Sequence, residues 1–167
     1  MPTALHMASN DAALEAAVKR SRKLLNKRAM VAAAASAMPV PGLDWAVDAA
    51  MLSRLIPEIN KEFGLTPQQL DQLEPNKREQ VQKAVTMVGS VLIGKLISQD
   101  LVIKAATKIG VRLTSKQLAK FVPFAGQIVS AAVGYAAIRY LGEEHMKDCI
   151  RVARQAELDV PLLGYSG

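Results

Sequence analysis

The sequence is poor in the residues on which most chemical sites and most stapled folds depend. Its 167 residues include one cysteine, Cys149, which excludes an internal disulfide. Two histidines are present, His6 and His145, so imidazoles alone cannot supply the three or four protein ligands of a zinc centre. Aromatic residues make up 4% of the chain while half of it is hydrophobic, a balance that favours close-packed helices over β-sandwiches. Neither a GxxxxGK[ST] loop nor a GxGxxG turn occurs, so the two common glycine-rich phosphate cradles are absent. The opening MPTALHMASND lacks a basic patch followed by an apolar stretch, and cytoplasmic residence with a reduced Cys149 is the expectation.

What the chain does have is alanine, aliphatic side chains and an uneven charge distribution. The net charge is +6, and the whole excess lies in KRSRKLLNKR, where Lys19, Arg20, Arg22, Lys23, Lys27 and Arg28 stand without an acid. Such a block attracts anionic lipid headgroups or an acidic protein through salt-sensitive forces; the ordinary alternative is a solvated helix face. Nucleic acid is the less favoured partner, because no aromatic residues stand beside the block to stack on bases.

Hydrophobic periodicity predicts an all-α fold: a compact bundle of Ala-rich helices with a buried helical hairpin. Residues 1–9 read as a disordered tail, 10–156 as a single helical domain and 157–167 as a C-terminal tail. Asn10 and Asp11 can cap a first helix reaching Met38, before the prolines of PVPG. Trp45, Ala49, Leu52, Ile56, Ile59 and Phe63 then form one apolar seam, with a kink or break predicted near Pro57 and a stop at Gly64. Thr66, Pro67 and Gln69 form a capping-box start for a short helix to about Leu73. A largely buried helix is expected over 77–99, carrying Val81, Val85, Val88, Leu92 and Leu96. A further piece ends at Gly110, and Thr114 with Gln117 repeats the capping-box signal. The last helix should run to about Ala156 through Met146, Ile150 and Ala153.

The stretch from Phe121 to Ile138 carries no charge. As a helix its 18 residues span about 27 Å, close to the roughly 30 Å of a bilayer's hydrocarbon layer. Its alanines and glycines contribute little transfer energy, and Gly126, Ser130 and Gly134 recur every four residues, the spacing that lets two helix backbones approach closely. A buried or shallowly membrane-associated hairpin fits this composition better than a full span. MPVPGLDWAVDAAMLSRL also echoes FVPFAGQIVSAAVGYAAI, with Pro39 matching Pro123 and Gly42 matching Gly126, which allows two pseudo-repeated hairpins.

His145 and Cys149 share a helix face in EEHMKDC with Glu144 and Asp148 nearby, but the only other histidine, His6, lies in the expected tail, and neither an oriented third group nor a cleft for a nucleophile pair is visible in the sequence. Asp44 and Asp48 also share a face, where Asp44 suits the positive end of a helix without catalytic duty. No catalytic, cofactor-binding or metal-ligating residue is assigned.

AAAASAMPVPGLDWAVDAAMLSRLIPEINKEFG, followed by AVTMVGSVLIGKLI and LAKFVPFAGQIVSAAVGYAAIRY, resembles the YcjF-like helical family of unknown function. The likeness covers roughly 30–154 and centres on the Pro-x-Pro-Gly-x-Asp and Val-Pro-x-Ala-Gly turns. The resemblance implies an α-helical, often membrane-linked module working beside small GTPases, and it brings no catalytic residues. The expected function is a non-enzymatic module, peripheral to the inner face of the cell membrane or docked on a partner protein, with the basic block as its contact and a homo-oligomer left open. The alternative is a membrane-active Ala-rich protein, either a pore former or its neutralising factor.

Overall fold

In the computed structural model, helices enclose an aliphatic core. The structure describes residues 2–36, 43–98, 101–102, 104 and 127–162, with the backbone alone for 32, 33, 35, 36, 43–49 and 127–137. The described elements are α1 (Ala4–Ala8), α2 (Ala12–Ser36), α3 (Leu43–Glu62), α4 (Pro67–Asp71), α5 (Pro75–Val88) and α6 (Gln127–Gln155). Among the described residues there is no strand. The fold is an all-α bundle in which α2, α3 and α6 pack mutually, α5 lies on α6, and α1 rests on both α2 and α6. Both turns of the internal echo, the Thr114 and Gln117 signal and Gly126 lie outside the described residues.

Local sequence explains most helix ends. Asp11 Oδ1 accepts from the amides of Ala13 and Leu14 at 2.9 and 3.1 Å, opening α2 as a side-chain cap. Thr66 and Gln69 complete the reciprocal capping box at the start of α4. α3 closes at Gly64, whose φ of 74° lets the Leu65 amide return to the Asn60 carbonyl at 2.9 Å. α6 closes in the same way: the Leu158 amide reaches the Ala153 carbonyl at 2.8 Å, with Glu157 taking the left-handed position at φ 46°.

The core is aliphatic. Leu14, Val18, Leu25 and Ala29 of α2 meet Leu52, Leu55, Ile59 and Phe63 of α3 and Ile138, Met146, Ile150 and Ala153 of α6. Leu52, Ile56, Ile59 and Phe63 of the predicted α3 seam are all buried. Pro57 does not break that helix, which runs unbroken from Leu43 to Glu62. One missing backbone donor is outweighed where the apolar face on both sides of the proline is held in the core.

Three further expectations are corrected. Residues 4–8, read as part of a disordered tail, form α1, with Ala4 and Ala8 fully buried and the Ala4 amide donating to Glu143 Oε1 at 2.7 Å. The helix expected over 77–99 ends at Val88, because Gly89 adopts φ 74° and its amide turns back to the Val85 carbonyl. Beyond it the chain is irregular: Leu92 and Ile93 are buried one by one, whereas Leu96 is 82% exposed. Finally, residues 157–162 are not a loose tail. Lys77 Nζ donates to the Ala156 and Glu157 carbonyls at 3.0 and 3.2 Å, and Arg20 donates to the Pro161 and Leu162 carbonyls at 2.8 and 2.9 Å. Leu158 and Val160 pack against the main core.

Candidate functional site

The basic block occupies the middle of α2, and the helical turn sorts its six cations into two sets. Arg20, Arg22 and Arg28 point along the flanks toward other helices. Arg20 pairs with Glu62 of α3 while also holding the C-terminal carbonyls. Arg22 forks onto Glu143 of α6 at 2.7 and 3.3 Å. Arg28 donates to Glu58 of α3 at 3.0 Å. A planar guanidinium with several fixed donors suits such bridging, since one side chain can satisfy a carboxylate and a carbonyl together.

Lys19, Lys23 and Lys27 recur every four residues on the outward face, and all three are exposed. Among the described residues Lys19 pairs with Glu15 one turn away, at 2.6 Å in a solvent-exposed pair. Such pairs contribute a few tenths of a kcal/mol and yield readily to another anion. Lys23 and Lys27 form no ion pair among the described residues. One turn further along the same helix stand Met30 and Val31, 67% and 50% exposed. The outward side of α2 is therefore a lysine stripe leading into an exposed apolar patch. The sequence showed the charge excess but not this division, which depends on where Glu58, Glu62 and Glu143 arrive in three dimensions.

Glu143 is a hub between helices. Burial favours its neutral form, but the Arg22 hydrogen bond, the Ala4 amide and the charges of Arg22 and Lys147 outweigh that and hold its carboxyl below the ordinary value. It ties α1, α2 and α6 together.

The close-packing residues are placed in part. Gly126 lies outside the described residues, and Ser130 and Gly134 lie in α6 where the backbone alone is described. The tight approach that is visible lies two turns beyond Gly134 in the same register. A Cβ on Gly142 would stand 2.6 and 2.8 Å from the two methyls of Leu25.

His145 and Cys149 do face the same way, and α3 adds a third polar group that sequence spacing did not reveal. Asn60 Oδ1 lies 2.7 Å from His145 Nε2 and 3.8 Å from Cys149 Sγ, and the sulfur is 3.6 Å from the same imidazole nitrogen. Asn60 Nδ2 donates to the Leu92 carbonyl at 2.9 Å, which fixes Oδ1 as the acceptor and places the imidazole proton on Nε2. A cysteine–histidine nucleophile pair needs its orienting partner on the far ring nitrogen and its thiol in reach of substrate. Here thiol and amide converge on one nitrogen in a sealed core. Burial, with Asp148 adding to it, pushes the thiol well above its ordinary range, and burial alone lowers the imidazole to about 4. Both groups are neutral at pH 7, and the cluster is a core hydrogen-bond network.

Among the described residues no group of three or more His, Cys, Asp or Glu could hold a metal ion, and no helix is long and apolar enough to cross a membrane. Compared with family models, curated proteins and solved structures, the chain matches none.

Proposed function

We propose that the chain is a non-enzymatic helical module that docks on an anionic surface through the outward side of α2: the inner face of a membrane in the first instance, and otherwise an acidic partner protein. The family resemblance makes a GTPase the natural candidate for such a protein. The supporting observation is the division of the basic block. Its arginines are taken up in bridges to α3, α6 and the C-terminal segment, while Lys19, Lys23 and Lys27 face outward beside Met30 and Val31. Lysine stems can lie along a lipid surface with their ammonium groups at headgroup level, and an adjoining apolar pair adds shallow contact.

The test is to change the three lysines to glutamine and titrate the variant with vesicles containing phosphatidylserine. Each lysine contributes on the order of 1 kcal/mol near an anionic surface, so affinity should fall by about a hundredfold or more with unaltered melting temperature. Raising the salt to 1 M, where the Debye length is about 3 Å, should reproduce the loss in the parent. Binding that survives both treatments refutes the electrostatic contact. Binding that is lost from vesicles but retained by an acidic protein moves the reading to its second form.

A further inference from the structure

The His145, Asn60 and Cys149 network is in the wrong place for catalysis, but it is well placed to control a segment. After Gly89 the chain runs through 90–94 without regular helix or strand, so its backbone groups depend on outside partners. Leu92 inserts against Ile56 of α3, and its carbonyl is held by Asn60 Nδ2. The amide group of Asn60 is itself fixed by His145, whose Nε2 proton points at Oδ1. The tie from α6 to the 90–94 segment thus runs through one imidazole and one carboxamide, joining residues 85 positions apart in sequence.

We propose that this relay is an acid-sensitive latch: His145 holds Asn60 on the Leu92 carbonyl while the imidazole is neutral, and protonation at Nδ1, which leaves the Nε2 donor in place but buries an uncompensated charge, draws in water and releases residues 90–98 from α3 and α6 before the helices themselves come apart. Among the described residues no counter-charge faces the imidazole to keep its cation in place. Its polar neighbours are Cys149 on α6, Asn60 on α3 and, through Asn60, the Leu92 carbonyl, none of them charged at neutral pH. Of the charged residues beside it along α6, Glu144 pairs with Lys147 at 2.6 Å, Glu143 is taken up by Arg22 of α2 at 2.7 Å, and Asp148 acts on the thiol. Burial is the sole cause of the shift in His145, so charging it demands water. The irregular segment can admit water with less loss than the packed helices on either side.

The pH window follows from the sign of the shift. The folded imidazole titrates at about 4 and an exposed one at about 6.5, so the closed state is fully favoured above 6.5 and loses ground as pH falls toward 4. Opening that hydrates His145 becomes about twenty-fold more favourable at pH 5 than at pH 7.

Hydrogen–deuterium exchange on the full chain, corrected for intrinsic rates, tests the latch. In the parent, opening of 90–98 should rise about twenty-fold from pH 7 to pH 5 while core amides of α2 stay protected, and in His145→Gln the same peptides should be flat with pH. Equal pH response in parent and variant, or α2 opening by the same factor as 90–98, overturns the latch. Should His145→Gln fail to fold, a His6→Gln chain leaves one imidazole to follow by NMR. Methyl signals of Leu92 and Ile93 moving in step with its titration support the latch, and signals that stay unmoved through it overturn the proposal.

Discussion

Replacing Gly142 by alanine sets two known effects against each other at one position. Alanine is favoured over glycine inside a helix by about 1 kcal/mol. The new Cβ, however, would stand 2.6 and 2.8 Å from the methyls of Leu25 and 3.3 Å from its Cγ, distances at which something must shift. Leu25 is fully buried and cannot swing into solvent. Overpacking of this kind costs about 1–3 kcal/mol, so the net expectation is a loss of about 1 kcal/mol and a fall in melting temperature of about 2–4 °C. Leu25→Val withdraws both methyls, and in that background the same Gly142→Ala change should be neutral or stabilising. Urea denaturation followed by circular dichroism at 222 nm, on the four members of the cycle, reads the coupling directly, expected at about 1–2 kcal/mol. An alanine that stabilises the parent, or shifts both backgrounds equally, refutes a tight α2–α6 approach at this point.

Two further outcomes follow from the polar contacts. Glu143→Leu should destabilise the chain by about 1–2 kcal/mol, since it strands the Arg22 guanidinium and the Ala4 amide; limited proteolysis should then cut within the first eleven residues, and wild-type resistance there would contradict the hub. The acid form of the same carboxyl mimics the substitution: its value is held below the ordinary one, so its contribution is complete above about 4.5 and is lost as pH falls further. Ser21 is fully buried on α2 with a hydroxyl that finds no partner among the described residues, so Ser21→Ala should stabilise by about 0.5–1 kcal/mol, and a lower urea midpoint would show that the hydroxyl is satisfied after all.

The features that sequence alone determined are those whose physics spans only a few residues. The cap at Asp11, the box at Thr66 and Gln69, the stop at Gly64 and the apolar faces of α3 and α6 each depend on neighbours within a turn or two, and each stands where periodicity and capping place it. The same local view misjudged α5, because the aliphatic run after Val88 continues a helical pattern while Gly89 takes the left-handed conformation that ends it. It also missed α1, since five residues cannot sustain a helix in water, and α1 exists because Ala4 and Ala8 are buried and Glu143 holds its first amide from 139 positions away. Tertiary structure alone decided how the basic block is used. Arg20, Arg22 and Arg28 find carboxylates 42, 121 and 30 positions distant, pairings set by how the helices pack, and Lys19, Lys23 and Lys27 are left facing outward because, among the described residues, no helix covers that side of α2. The joining of Asn60 to His145 has the same origin: a buried polar group must be hydrogen-bonded, but which partner meets it is settled by which helices share the core.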